Sequence, residues 1–302
     1  MDRLHLMRAF VASAEAGSFS AAADRVGLTN KGVSKYVAAL EDTLGVRLFH
    51  RTTRKLGLTD AGHRYLHGAR EVLERIETLE AGLGSDQGAV RGRLRVSAPV
   101  TFGELYMCDV VGAFCGLNPE VEVDLRLSDR YVDLAEDGID LAVRIGTLQD
   151  SSLLARRVAR TDLWVVASPA FLDAHGRPGT PEDLAGMPAI HDGNLRSGPA
   201  WPFVAGGQMR RIGITARVTV NSARTASALA ADGMGVALCP DYVAAPMVRD
   251  GRLERVLASH ASLSLDIHLI YPSGRHLPVK TRAMIDHLAT RFGDQEGWTD
   301  RG

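Results

Sequence analysis

Three glycines, Gly17, Gly27 and Gly45, punctuate the first 45 residues, and a hydroxyl residue, Ser18 or Thr29, follows each of the first two within two positions. Glycine ends helices in the left-handed conformation, and Ser or Thr starts the next by capping free N–H groups. The punctuation therefore predicts three short helices where one long one would otherwise run. Periodicity agrees. Leu4, Met7, Val11 and Ala14 recur at spacings of 3 and 4, with Leu6 and Phe10 beside them, and define the first helix. Phe19 to about Val26 forms the second, rich in alanine where a neighbour can approach closely. A third carries an inner stripe of Val33, Val37, Leu40 and Leu44. Two short helices joined by a tight, Gly-containing turn make a helix-turn-helix.

The third helix leaves Asn30, Lys31, Ser34, Lys35 and Ala38 on its outer face. A recognition helix enters the major groove N-terminus first; Asn, Lys and Ser there reach base edges while the helix dipole favours phosphate. After Gly45, Val46 to Thr59 reads as a two-stranded wing, anchored by Leu48, Phe49, Leu56 and Leu58 around a cationic turn. The candidate DNA-contacting residues are Ser18, Ser20, Thr29, Asn30, Lys31, Ser34 and Lys35 from the helices, with Arg51, Thr52, Thr53 and Arg54 at the wing tip. Net charge points the other way: 35 Lys and Arg against 36 Asp and Glu give −1, which carries no sign of a nucleic-acid partner. That average hides a split of +3 over residues 1–62, −2 over 63–90 and −2 over 91–302. From Leu44 to Lys55 there are four cations and no acid, a run that also fits an ordinary solvated face.

Between Asp60 and about Leu83 no Pro occurs. Leu66, Ala69, Leu73, Ile76, Leu79 and Leu83 make a narrow apolar seam on one long helix, suited to pairing with another helix or to packing on its own wing. His63 and His67 lie one turn apart, but position 64 is Arg and no third ligand is near, so no metal is expected. Gly82, Gly84 and Gly88 then end the helix in a flexible joint.

Beyond Arg91, strands near 94–97, 121–126, 141–144, 163–167, 218–220, 236–239 and 265–271 alternate with helices near 102–115, 131–137, 169–175, 222–232 and 278–292. This is an α/β pattern with mainly parallel sheets, a class that binds ligands beyond the carboxyl ends of its strands. Val100, Thr101 and Phe102 follow the first such strand, Asn221 and Ser222 precede a helix, and Pro240 ends a strand. Arg144 is placed to meet a carboxylate, and Asp192 and Trp201 lie on a Gly/Pro-rich loop from His191 to Pro202 that could close the cleft. Plain structural readings stand beside these: Thr101 and Ser222 as helix caps, Arg144 in an internal ion pair, Trp201 as a core anchor. Cys108, Cys115 and Cys239 have no C-x-x-C spacing, which argues against a disulfide scaffold or zinc cluster. Cys108 and Cys115, seven apart on one helical face, read as buried packing. Gly233-x-Gly235 lacks the rest of a dinucleotide fingerprint and no nucleophile elbow occurs, so catalysis has no visible apparatus.

The N-terminal segment resembles the winged helix-turn-helix of LysR-type transcriptional regulators. Ala14 to Ala23, Val33-Ser34, Ala39-Leu40-Glu41, Leu44 to Arg51 and Leu58 to Gly62 stand in that family's order and spacing, while Asn30-Lys31-Gly32 departs from its usual residues before the Val-Ser pair. Leu141 to Gly146, Ala167-Ser168-Pro169 and Gly233 to Pro240 resemble its two-lobed effector-binding domain, which is like periplasmic solute-binding proteins. The resemblance implies a DNA-binding domain at 1–59, a linker and dimerisation helix with a hinge at 60–90, and an effector domain at 91–292. One lobe would comprise about 91–161 and 267–292, the other about 162–266, with a flexible tail at 293–302. It implies a transcription regulator modulated by a small-molecule effector held between the lobes. Such a protein acts as a homodimer or homotetramer on an interrupted inverted repeat in double-stranded DNA, with RNA polymerase a further partner and no cofactor. The N-terminus has no cationic segment followed by an apolar one, and no stretch reaches roughly 18 uninterrupted apolar residues, so a cytoplasmic protein with no membrane partner is expected.

Overall fold

A computed structural model describes residues 2–50, 56–81, 90–130, 134, 137–148, 153–195, 198–205, 208–273 and 277–293. The chain divides into two compact units, one built on residues 1–90, the other on 91–132, 140–275 and 280–302.

In the first unit α1 (Arg3–Ala16) is capped by Asp2, whose carboxylate accepts the Leu4 N–H at 3.1 Å. The next helices, α2 (Phe19–Val26) and α3 (Asn30–Leu44), are capped by Ser18 and Thr29, whose hydroxyls accept the N–H of Ala21 and Gly32 at 3.1 Å each. Gly17, Gly27 and Gly45 end the three helices with φ of 64°, 66° and 67°, the left-handed region where a side chain would be strained. Phe10, Val33, Leu40 and Leu48 are fully buried in the shared core, and each such side chain contributes about 1.5–3 kcal/mol. The roots of the wing, β1 (Phe49–His50) and β2 (Gly57–Leu58), pair antiparallel with Phe49 opposite Leu58. Helix α4 (Asp60–Ala81) buries Leu66, Ala69 and Leu73 in this same core, so the first half of the apolar seam packs on its own head. A Cβ at Gly62 would lie 2.1 Å from the Leu48 carbonyl oxygen; only glycine lets α4 start this close to the wing. The joint at Gly82, Gly84 and Gly88 and the tail from 294 lie outside the described residues.

The second unit runs β3 (Gly92–Ala98), α5 (Val100–Phe102), a π-helical turn (Gly103–Met107), α6 (Cys108–Leu117), β4 (Val121–Leu127), β5 (Leu141–Ile145) and β6 (Leu153–Ala167). It continues through α7 (Pro169–His175), β7 (Pro188–Asp192), β8 (Ala200–Ala205), β9 (Gln208–Gly213), β10 (Thr215–Val220), α8 (Ala223–Ala231), β11 (Val236–Pro240) and α9 (Asp241–Arg249). The last elements are β12 (Glu254–Val256), β13 (Ala261–Ser262), β14 (Ser264–Pro272) and α10 (Val279–Gly293). The main sheet has the order β10-β7-β11-β6-β14-β5-β3-β4, with β12 beside β6.

Its two ends are parallel: β3 pairs with β4 and β5, and β7 pairs with β10 and β11. The centre is not. There β6 and β14 run antiparallel from Leu153 opposite Pro272 to Asp162 opposite Ser264, because the chain enters the second lobe along one and returns along the other. The expectation of mainly parallel sheets therefore holds only at the two ends of the main sheet: β6 is antiparallel to β11, β12 and β14, β14 is antiparallel to β5, and the small sheet of β8, β9 and β13 is antiparallel throughout.

Two further readings are corrected. The stretch from His191 to Pro202 is not one loop: β7 ends at Asp192 and β8 starts at Ala200. Cys108 is exposed and Cys115 half-buried, because the buried face of α6 is taken by Val110 and Phe114; only Cys239 is buried. Of the helix expected at 131–137, most lies outside the described residues. The helical run Val100–Leu117 is long and apolar enough by composition to cross a membrane, yet it buries Phe102, Met107, Val110 and Phe114 in this unit.

Candidate DNA interface and effector cleft

The head presents one polar face. Asn30, Lys31, Ser34 and Lys35 are exposed on the first turns of α3, opposite buried Val33 and Val37, and their side chains make no hydrogen bond or ion pair among the described residues. Ser20 is exposed on α2, while Ser18 and Thr29 are committed as caps and so fix where the two helices begin. Arg51, Thr52, Thr53 and Arg54 lie outside the described residues. What aims the wing is a residue that the sequence marks only as part of the Ala39-Leu40-Glu41 motif, with no role attached. Glu41, near the end of α3, is buried and accepts the Leu48 and Phe49 N–H groups at 2.8 and 3.1 Å and the Arg47 guanidinium at 2.7 Å. Burial alone would raise its pKa; the hydrogen bonds from Arg47, Leu48 and Phe49 outweigh it and hold the carboxyl below its ordinary value. One of the four cations in the sequence run is thus spent inside the head.

In the second unit the carboxyl ends of β3, β4, β7, β10 and β11 gather most of the expected ligand residues. The Val100 N–H, at the start of the helical run, is not free for a ligand anion: Asp129 accepts it at 3.0 Å. Thr101 is buried, and its hydroxyl makes no hydrogen bond among the described residues. Phe102 is fully buried, with ring centroids 5.3 Å from Tyr106, 5.6 Å from Tyr242 and 5.5 Å from Phe292. Ser222 caps α8 by accepting the Thr225 N–H at 3.3 Å, as the structural reading has it, and Asn221 beside it is exposed. Pro240 is buried at the end of β11. Arg144 reaches the Ser97 hydroxyl at 3.3 Å.

Asp192 is buried at the end of β7 and accepts the Asn194 N–H at 3.0 Å. Desolvation, with the like charge of Asp129 adding to it, pushes its pKa up. Trp201 is corrected: it is fully buried among Leu163, Phe203 and Leu238 in the core of the second lobe, because β8 belongs to a small sheet with β9 and β13 rather than to a mobile loop. Sequence reasoning missed Asp129, Asn194, Glu104, Arg224, Tyr106 and Tyr242, all near strand ends or helix starts around the cleft. Position after a strand was the available signal for Asp129 and Asn194. Among the described residues no group of three or more His, Cys, Asp or Glu side chains has the arrangement of a metal site.

A winged helix-turn-helix joined to a two-lobed α/β domain with a cleft at its strand ends defines a ligand-responsive DNA-binding regulator. Residues 4–63 match the model of the bacterial regulatory helix-turn-helix protein, lysR family, and residues 87–293 match that of the LysR substrate binding domain. The chain is 34% identical over 290 residues to the HTH-type transcriptional regulator PtxR of Pseudomonas aeruginosa, covering 96% of this chain and 93% of that one. It is 33% identical over 287 residues to an HTH-type transcriptional regulator of Xanthomonas campestris pv. campestris, covering 94% and 83%. The solved structure of CrgA, a LysR-type regulator from Neisseria meningitidis, superposes with a TM-score of 0.63 at 29% identity, covering 96% of this chain and 98% of that one. The chain belongs to the LysR family of transcriptional regulators. It therefore couples a DNA-binding head to an effector-binding domain, and control of DNA binding by a bound effector is typical of its family.

Proposed function

We propose that α3 reads the operator through Asn30, Lys31, Ser34 and Lys35, with Ser18, Ser20 and Thr29 close to the backbone and Arg51, Thr52, Thr53 and Arg54 of the wing tip meeting phosphate. The observation that carries this reading is the exposed α3 face, whose polar side chains have no partner among the described residues although each is built for hydrogen bonding. The working divisions are the head at 1–59, the linker at 60–90 and the effector domain at 91–292, as two lobes. The effector is a small molecule held between the lobes near Thr101, Arg144, Asp192, Asn221 and Ser222, and it acts by favouring one arrangement of the oligomer over another. The protein works in the cytoplasm as a homodimer or homotetramer on an interrupted inverted repeat, with RNA polymerase a further partner, and as a regulator rather than an enzyme.

A gel shift with the full chain on the DNA upstream of its own gene, run against random DNA over a salt series, tests the proposal. Binding there should be tighter than to random DNA at every salt concentration; equal binding would overturn it. A thermal-shift screen of small metabolites tests the cleft, since a ligand at 100 times its Kd adds about 2.7 kcal/mol of stability.

A further inference from the structure

Among the described residues, direct contacts cross the cleft between the lobes of the second unit. Asp129, beyond β4 on the first lobe, accepts from the Asn194 side-chain amide of the second at 3.3 Å, while the same amide donates to the Asn221 carbonyl at 2.8 Å. Glu104 on the first lobe lies 3.6 Å from Arg224 of α8 on the second. The Tyr106 hydroxyl on the first lobe donates to the Tyr242 carbonyl of α9 at 3.2 Å, and the two rings lie 5.9 Å apart in an edge arrangement. Glu104 and Tyr106 both belong to the π-helical turn, a local widening of a helix that turns side chains off the regular α period and is concentrated at functional positions.

We propose that these contacts form a latch, in which the chain's own groups hold the lobes closed and Asp129 occupies the helix-start position where a ligand carboxylate would otherwise dock. The geometry is economical. Asp129 satisfies the first N–H of the helical run on its own lobe and grips Asn194 on the other, so one carboxylate couples the state of that N–H to closure. Asn194 also supplies its backbone N–H to buried Asp192, which ties the latch to the floor of the cleft. The Asp129–Asn194 and Glu104–Arg224 contacts are solvent-exposed and individually weak. Such a latch is closed on balance and is released by a ligand that competes for Asp129 or wedges Tyr106 from Tyr242. An effector then acts by opening the cleft, and only to the extent that it prefers the open arrangement.

The regulatory meaning rests on the reading of this cleft as the effector site, but the latch itself is tested without effector or DNA. Hydrogen exchange of the full chain is compared with that of Asn194→Ala, Tyr106→Phe and a triple variant adding Arg224→Ala. Asn194 and Arg224 lie in the second lobe, so the decisive readout for Asn194→Ala is exchange in the first lobe over 99–107, where that variant removes no bond. Tyr106→Phe is read in the second lobe over 241–245. The latch requires faster exchange on the far lobe in each single variant, and about a tenfold rise in the triple variant, the change expected when interlobe bonds of ordinary strength are lost. The melting temperature of the head is unchanged. Exchange that rises only beside each substitution, or not at all, overturns the latch and leaves the effector-site reading intact. If the latch stands and no metabolite shifts the domain's stability, it is the effector reading that falls.

Discussion

Glu41 shows how much one side chain can settle. Its carboxylate takes two buried backbone N–H groups at the start of the wing and one guanidinium, six to eight residues away along the chain. Replacing it with Gln leaves one of those donors without a full partner and removes the charge that Arg47 faces. The expected cost is about 1–3 kcal/mol of head stability, read by chemical denaturation. Because the folded pKa is depressed, the carboxylate contributes stability above the ordinary carboxylate range, and that contribution is lost as pH falls through the depressed value. The difference between wild type and Glu41→Gln should therefore shrink on acidification, and a difference constant with pH would contradict this account. On the outer face of α3 the expectation concerns discrimination. Lys31→Ala or Ser34→Ala should narrow the gap between operator and random DNA in a binding titration. Arg51→Ala should weaken both and flatten the log–log salt slope by about 0.9 for one lost phosphate contact. The caps Ser18 and Thr29 were legible in the sequence because their partners lie three residues ahead. Glu41 was not, since a Glu on an amphipathic helix looks exposed until the wing folds back onto it.

At the scale of elements, the most demanding contact is the start of α4 against the wing. Gly62→Ala would drive a methyl group into the Leu48 carbonyl, a backbone group that cannot swing aside as a flexible side chain could. We expect a loss of about 1–3 kcal/mol in head stability from this overpacking, measured by thermal unfolding, while Gly68→Ala, with open space around its Cβ, should be neutral or stabilising. Helices α1 to α3 could be read from spacing and punctuation because their information is local. The strands were legible only in part: β10 and β11 stood out, while β7, β8 and β9 and the first half of β6 did not. The long strand β6 carries Arg156, Arg157 and Arg160 in the half that precedes its apolar end, so only Leu163 to Ala167 stood out as a strand. The charged half is a strand because β14 pairs with it, and that pairing joins residues about a hundred positions apart.

Over the whole molecule, charge and fold together argue for more than one head on each DNA site. A net +3 over residues 1–62 is modest for a DNA-binding domain, so a single head should hold DNA weakly and two linked heads should gain by effective concentration. A fragment of residues 1–76, which keeps Leu66, Ala69 and Leu73 in the head's core, is expected to bind operator DNA at least about 100-fold more weakly than the full chain in a fluorescence anisotropy titration. Comparable affinities would remove the need for an oligomer. The crossing strands carry a different consequence. The chain leaves the first lobe at Asp162 and returns at Ser264, and these two residues sit opposite one another in the β6–β14 ladder with their side chains hydrogen-bonded. Everything from Leu163 to Leu263 is thus an insert whose two ends are neighbours, closed off by a ready-made seam. Such an insert can be lifted out and exchanged for the equivalent segment of a relative with only two splices, both inside one hydrogen-bonded ribbon. A regulator assembled this way can acquire a new ligand preference by graft while its reading head and its first lobe stay untouched.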